Sequence, residues 1–428
     1  MADIVKDVLK EVDDLTDDLV ELCRSLVRVN TVNPYAGAGV TGLEKDGQVL
    51  IQPTLEKMGG KTRLFEPPPD VYERVGMIGP RDRSWQDRPN LVTEFDLGPG
   101  SRIVINSHMD TVGVDGMDFD PFCADLKDGK IYGRGASDDK GGMAAGIIAI
   151  KAALKFADAL TGSIIHQSVV DEECNGSGAG TLACCLEGYT GEEAIVIDGG
   201  ELVVTRGCQG CLTAEVTVHG RAGHAARGGV NAIDKAVHVK GFIDQFKQAR
   251  ETKYPDCLVN LGVFNGGTHP AVVPGLASLS LNMVYTIQEA AANEQAGRGW
   301  NGSSVRDAFV DAITSADDAD AWLCEHRSDV AWVKDLVPFE TPADAPVVAH
   351  LCEACETALG KPPEVEIMSA WADAANMVRY GGVPAVLFGP GTPEAAHAQD
   401  ETVEVANLVK GAKVVATYLV RRLAKARV

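Results

Sequence analysis

Apolar positions three and four residues apart run from Val8 to Val27. That spacing predicts an amphipathic helix packed on the edge of a sheet, and Thr31-Val32-Asn33-Pro34 ends it. A second helical pattern covers Gly47 to Met58 and stops at Gly59-Gly60. Pro67-Pro68-Pro69 and the polar run from Gly79 to Arg88 read as loop. The period then changes. Asn90 to Phe95 and Arg102 to Asn106 are short apolar strands, the second with the unbroken β-branched character of a buried parallel strand. Met143 to Phe156 is an Ala- and Ile-rich helix pattern, Ser163 to Val170 a strand, Thr181 to Leu186 the opening of a helix, and Ala194 to Ile197 a further strand.

Near Arg206 the character shifts again. Leu212 to Val218 alternates apolar and polar, as a half-exposed antiparallel strand does. A helix pattern from Asn231 to Gln248 follows, then strands over Leu258 to Phe264 and Ala277 to Tyr285. A helix over Ser303 to His326 and a strand over Val330 to Leu336 complete a split βαβ arrangement of ferredoxin-like type. Apolar α/β patterning resumes at Pro346 to Leu359, with a last parallel strand over Pro384 to Phe388 and a closing helix from Val403 to Ala424. The predicted fold is α/β: a discontinuous domain with a mostly parallel sheet, residues 1–206 and 338–428, and an inserted α+β domain, residues 207–337.

Composition narrows the partners. With 428 residues, 45% of them hydrophobic, the chain can bury a large core in two domains. A net charge of −22 argues against nucleic acid and anionic membrane, and no apolar run is long enough to span a bilayer. Ala2 to Val27 is charged and amphipathic, unlike a signal peptide. The eleven cysteines suit reduced thiols in the cytoplasm. Two pairs, Cys208/Cys211 and Cys352/Cys355, have the spacing of zinc ligands, but the second sits among Ala and Leu at helical spacing, so buried thiols are the better reading.

The candidate chemistry lies at strand ends. SHMDT at Ser107 to Thr111 follows one strand, and GRGASDDKGG at Gly133 to Gly142 precedes a helix, placing Asp138 at a helix entrance that favours a carboxylate. Asp171-Glu172-Glu173 and Asp198 end two further strands, and His397 follows the last. Gly176, Gly178 and Gly180 do not make a dinucleotide fingerprint, because adjacent Glu residues precede them and no ribose-binding acid follows. Each of these peptides alone is an ordinary turn. Together, His108, Asp138, Glu173, Asp198 and His397 form a mixed imidazole and carboxylate set suited to zinc, manganese or cobalt. Five ligands are too many for one catalytic zinc and the right number for two ions sharing a carboxylate. Asp110 is placed to orient His108 through the other ring N–H, and Glu172 to take a proton from an activated water.

SHMDT, YGRGASDDKGG, DEECNGSG, the acid Asp198, GRAGHA and GPGTPEAAHAQDE resemble the metallohydrolase family of acetylornithine deacetylase, succinyl-diaminopimelate desuccinylase, aminoacylase and carboxypeptidase G. The resemblance spans nearly the whole chain, and Asp87-Arg88-Pro89-Asn90 looks most like the acetylornithine deacetylase branch. It implies a catalytic domain with an inserted dimerisation domain and one or two divalent ions. His108, Asp138 and Asp198 would hold one ion and Asp138, Glu173 and His397 the other, with Glu172 as general base and a cis peptide between Asp138 and Asp139. It also implies a homodimer in which His224 reaches the oxyanion of the partner subunit. The chain departs from the family at two positions. Ala271 stands where Asn is usual and Val284 near where Arg is usual, the groups that commonly hold a substrate carboxylate. His269, Tyr285 and Arg298 are candidate replacements.

The implied function is metal-dependent hydrolysis of a C–N bond in a small-molecule substrate. One reading is amide hydrolysis of an N-acylated amino-acid-like compound, with Glu172 as base. A second, motivated by the altered positions and by similarity to nitroanthranilate aminohydrolase, is release of ammonia from an aromatic amine. A non-catalytic binding relative is disfavoured, because every candidate ligand and the base are present.

Overall fold

The structure is a computed structural model that describes residues 2–36, 41–173 and 176–425. The dominant element is a sheet of nine strands. Its centre is the parallel set Ser163–Val169, Arg102–His108, Glu193–Val196 and Ala385–Leu387. Antiparallel strands flank this centre: Asn90–Asp96 and Lys61–Phe65 on one side, Val204–Cys208 and Phe339–Glu340 on the other. Strand Val365–Met368 adds in parallel to Val204–Cys208.

Alternation along the central strands explains the two covered faces. Ile103, Ile105 and Ile164 point to the core formed with helices Ala2–Asp14, Thr16–Val27, Lys140–Leu154, Pro346–Leu359 and Val405–Leu423. Val104, Ile165 and Val169 point to the opposite core, with Ala374, Ala375 and Met377 of helix Ala374–Arg379. Helix Lys140–Leu154 is almost wholly buried. Small residues allow this: a Cβ on Gly146 would come within 2.6 Å of the Ile197 side chain.

A second sheet is drawn from residues between Gly210 and Leu336. Its order is Val259–Gly266, Leu276–Tyr285, Gly210–His219, Asp329–Leu336, all antiparallel. Helices Ala232–Lys253 and Ser303–Asp318, the latter through Phe309, close one face over Leu212, Val216 and Leu279. This is the strand order of a ferredoxin-like β-α-β-β-α-β unit. Arg206, where the apolar pattern shifts, lies inside a strand of the large sheet, and the chain passes to the small sheet at Gln209.

Other departures have local causes. The first helical pattern is two helices, broken at Leu15, whose N–H bonds both Glu11 and Val12 carbonyls. Asp13 and Asp14 end the first helix, where the dipole disfavours them, and Asp17 and Asp18 open the second, where it favours them. The helix at Ser303 stops at Asp318 rather than His326. Asp317 there accepts the N–H and hydroxyl of Ser328, and Asp320 the N–H groups of Trp322 and Leu323, so side chains replace the helical ladder. Strand Lys61–Phe65 and helix Ile287–Gln295, the latter opened by a Thr286–Glu289 capping box, escape the apolar pattern. Cys208 and Cys355 sit in different cores, and among the described residues no cysteine belongs to a metal-capable group. Of the two pairs, Cys208 and Cys355 are buried and Cys211 and Cys352 half-buried, all as free thiols.

Candidate active site

The parallel centre of the large sheet ends its strands on one side, and the candidate residues are delivered there. His108 is the last residue of Arg102–His108; Glu172 and Glu173 follow Ser163–Val169; Asp198 follows Glu193–Val196; His397 lies in the loop after Ala385–Leu387. Asp138 lies on the turn before Lys140–Leu154, preceding a cis Asp138–Asp139 peptide. Open α/β sheets gather ligands at this edge.

Two groups of potential ligand atoms form, each within 4.8 Å: His108, Asp138 and Asp198, and Asp138, Glu173 and His397. Asp138 belongs to both. Its Oδ1 lies 2.9 Å from His108 Nε2, and its Oδ2 lies 3.4 Å from His397 Nε2. His397 Nε2 is also 2.9 Å from Glu173 Oε2. His108 Nδ1 donates to the Asp110 carbonyl at 3.0 Å, which turns Nε2 towards the site.

The electrostatics suit a cation. Burial pushes the Glu173 carboxyl up to about 7 and Asp198 up to about 6. Burial also drives Glu172 well above the ordinary range. For Asp138, burial acts the same way, but hydrogen bonds from His108 and His397 outweigh it and hold it below. Glu173 Oε1 is buried without a hydrogen-bond partner. An orphaned oxygen among crowded carboxylates, beside two imidazoles, is a donor set that a divalent ion satisfies.

Asp110 does more than the sequence suggests. Its carboxylate is 3.8 Å from His108 Nδ1, too far to hydrogen-bond, so the backbone carbonyl orients the imidazole. The carboxylate instead accepts the backbone N–H groups of Glu172 at 3.2 Å and Glu173 at 3.1 Å, and Asn33 Nδ2 at 2.8 Å. It therefore pins the turn that carries the candidate base and one candidate ligand.

Behind that turn lies a buried network that motif reading missed. Asp171 has a left-handed backbone, φ 68°. Its carboxylate contacts Arg88 at 3.4 Å and accepts from Tyr72 at 3.2 Å. Arg88 Nε donates to both oxygens of Glu44, at 2.9 and 3.0 Å, and both side chains are buried. Glu401 accepts the N–H groups of Ser137 at 2.9 Å and Asp138 at 3.2 Å, fixing the second turn. Asp373, fully buried, accepts the Thr181 hydroxyl at 2.7 Å, and burial pushes it up to about 7. Glu401 closes the motif that contains His397 and Arg88 lies in Asp87-Arg88-Pro89-Asn90, so their positions were readable; Asn33, Glu44 and Asp373 carry no spacing signal.

A cleft of about 610 Å³ opens over these groups. Asp138, Glu172, Glu173, Asp198 and His397 line it, together with Trp371, Met368, Thr205 and Glu366. His224 is not brought to this cleft by its own chain. It sits exposed on a two-residue strand paired with Val272–Val273, its Nδ1 accepting from Ala226 N at 3.1 Å. Of the candidate replacements for the missing carboxylate-binding groups, Tyr285 is fully buried and donates to Asp335 at 2.7 Å, which removes it as a substrate contact. Arg298 pairs with Asp307, and His269 lies exposed beside Ala271.

Comparison with known proteins agrees with this arrangement. The sequence profile of peptidase family M20/M25/M40 matches residues 104–421. The N-formyl-4-amino-5-aminomethyl-2-methylpyrimidine deformylase of Halalkalibacterium halodurans is 28% identical, covering 97% of each chain. The acetylornithine deacetylase of Myxococcus xanthus is 30% identical, covering 78% of this chain and 84% of that protein. Among solved structures, human carnosine dipeptidase 1 matches with a TM-score of 0.72 over 98% of both chains at 17% identity, a likeness of fold. This chain belongs to peptidase family M20/M25/M40, as a metallohydrolase acting on amide C–N bonds.

Proposed function

We propose that the enzyme removes a small acyl group, formyl or acetyl, from the nitrogen of a small amine that lacks the carboxylate of an N-acyl amino acid. The observation that carries this reading is the pair of three-residue groups sharing Asp138, with Glu172 in the same cleft. Zinc, manganese or cobalt ions held by His108, Asp138 and Asp198, and by Asp138, Glu173 and His397, would polarise the amide carbonyl and lower the pKa of the attacking water. Glu172 takes a proton from that water and returns it to the leaving nitrogen, and its burial raises its proton affinity above that of an ordinary carboxylate. Asp110 holds the Glu172 and Glu173 backbone in register through the two N–H bonds.

Two observations support an amine without a carboxylate. Ala271 and Val284 occupy the positions discussed above, and the Val284 carbonyl is engaged by Arg250 at 2.7 Å. The similar Halalkalibacterium halodurans protein is named for an N-formylated aminopyrimidine.

The active form is a homodimer in this reading, with His224 contributed to the partner's cleft to hold the oxyanion. Support comes from the exposed edge strand Val259–Gly266. It displays Val263 (45% exposed) and Phe264 (38%), beside Leu258 (61%), Val272 (47%) and Leu276 (58%). An unpaired apolar edge is a site for a second copy. Unpaired thiols are in keeping with a cytoplasmic enzyme.

The test is product analysis on zinc- and manganese-loaded protein, offering N-formyl, N-acetyl and N-succinyl amides of amines and amino acids beside amino-benzoates. Formate or acetate with a new amine is the expected result. Ammonia with a hydroxylated ring would replace the amide reading with the aminohydrolase one.

A further inference from the structure

The part of the cleft lining that holds no metal-capable group has a chemistry of its own. Strand Val365–Met368 runs parallel to Val204–Cys208, with Glu366 beside Thr205. Glu364, Glu366 and Met368 all line the cleft, with a shift of register between Glu366 and Met368. Thr205, only 5% exposed, donates its hydroxyl to Glu366 Oε1 at 3.3 Å, which restricts the carboxylate. Beside it stands Trp371, whose indole N–H donates to the Val337 carbonyl at 3.0 Å and fixes the ring. This part of the lining therefore offers an indole, a thioether and a carboxylate hydrogen-bonded to Thr205.

Charge on the wall is one-sided. Among the described residues that line the cleft there is no lysine or arginine. Glu201 and Glu364 also border a neighbouring groove that holds Lys361, Lys410 and Lys413, whereas Glu366 faces the cleft alone.

We infer that Glu366 is a specificity-determining residue: it accepts a hydrogen bond from a second, cationic or amino-bearing group on the planar leaving amine, which lies against Trp371 while the amide nitrogen faces Glu172. This rests on the amide-hydrolase reading above and adds the class of amine. It predicts a substrate with two basic or donating nitrogens, one acylated and one read by the wall, and discrimination against a carboxylate at the second position.

The experiment uses the metal-loaded full chain and three para-substituted benzylamines, carrying aminomethyl, methyl or carboxylate, with their N-formyl derivatives. Binding of the free amines is measured by calorimetry and cleavage of the formamides by formate release. In the unaltered enzyme the aminomethyl compound binds about tenfold tighter than the methyl one, the scale of one charge-assisted hydrogen bond, and the carboxylate weakest. Glu366→Gln, isosteric and at an exposed position, reduces that preference to within about twofold, through KM rather than kcat for the formamides. Glu364→Gln leaves the preference in place. A preference that survives Glu366→Gln, or tightest binding of the carboxylate, overturns the inference even if every formamide is cleaved. Retention of the binding order without any formate release overturns the amide-hydrolase reading and leaves the role of Glu366 standing.

Discussion

Replacing Arg88 with methionine keeps the bulk of the side chain and removes a guanidinium that lies between Glu44 and Asp171. Arg88 is 2% exposed, Glu44 and Asp171 are fully buried, and the contacts are 2.9–3.0 Å to Glu44 and 3.4 Å to Asp171. Breaking a buried pair by removing one partner costs roughly 3–5 kcal/mol, because the remaining charge is left without compensation. The escape is protonation. Burial already pushes Glu44 up to about 7 with the guanidinium present, and its loss moves that value higher. A carboxyl whose folded pKa lies above its unfolded value binds more protons when folded, so the stability it permits is lost as pH rises through the folded pKa. The penalty of Arg88→Met should therefore be smaller at pH 6 than at pH 9, by up to about 1.4 kcal/mol per pH unit in that interval. Thermal denaturation at both pH values reads this as a Tm lowered by several degrees, at roughly 2–4 °C per kcal/mol, with the larger shift at pH 9. Because Asp171 precedes Glu172 on a left-handed turn, kcat should fall at either pH, with partial recovery in Arg88→Lys. Equal Tm shifts at the two pH values together with unchanged kcat would refute the reasoning.

Glu172→Gln should retain bound metal and lose about 10²–10⁴ in kcat, measured by formate release beside metal analysis. His166 is buried with neither ring nitrogen hydrogen-bonded, and burial lowers its pKa to about 4. A depressed folded pKa contributes stability that is present above the unfolded value and lost as pH falls; between about pH 6.5 and 4 the loss approaches 3 kcal/mol. His166→Met should flatten that part of the acid limb in urea denaturation. Removing metal with a chelator should lower Tm increasingly as pH rises towards 7, because Glu173 and Asp198, raised to about 7 and about 6, must then carry adjacent uncompensated charge. A chelator effect independent of pH over that interval would count against it.

The five candidate ligands were legible because strand ends are local events. An apolar run that stops at a polar residue marks where a parallel strand delivers its side chain, and His108, Glu173 and Asp198 all follow that rule. The small sheet was legible for the same reason, through the alternation of Leu212 to Val218. What stayed hidden depends on contacts distant in sequence. Arg88 meets Glu44 across 44 residues and Asp171 across 83, and each alone reads as a solvated charge. Asp110 accepts the other ring N–H of His108 as expected, through its carbonyl, a choice of atom that HxD spacing leaves open. Leu15 ends one helix and begins another within an unbroken apolar stripe, because charge placement overrides apolar periodicity there.

The central claim is that Asp138 is shared between two ions in one cleft. The most direct test is the number of manganese ions held per chain, by equilibrium dialysis and metal analysis, in the unaltered enzyme, Asp138→Ala, Asp198→Ala and His397→Ala. The account predicts two ions per chain, one lost in Asp198→Ala or His397→Ala, and both weakened in Asp138→Ala with formate release abolished. An Asp138→Ala protein that keeps its full complement of manganese and its activity would contradict it.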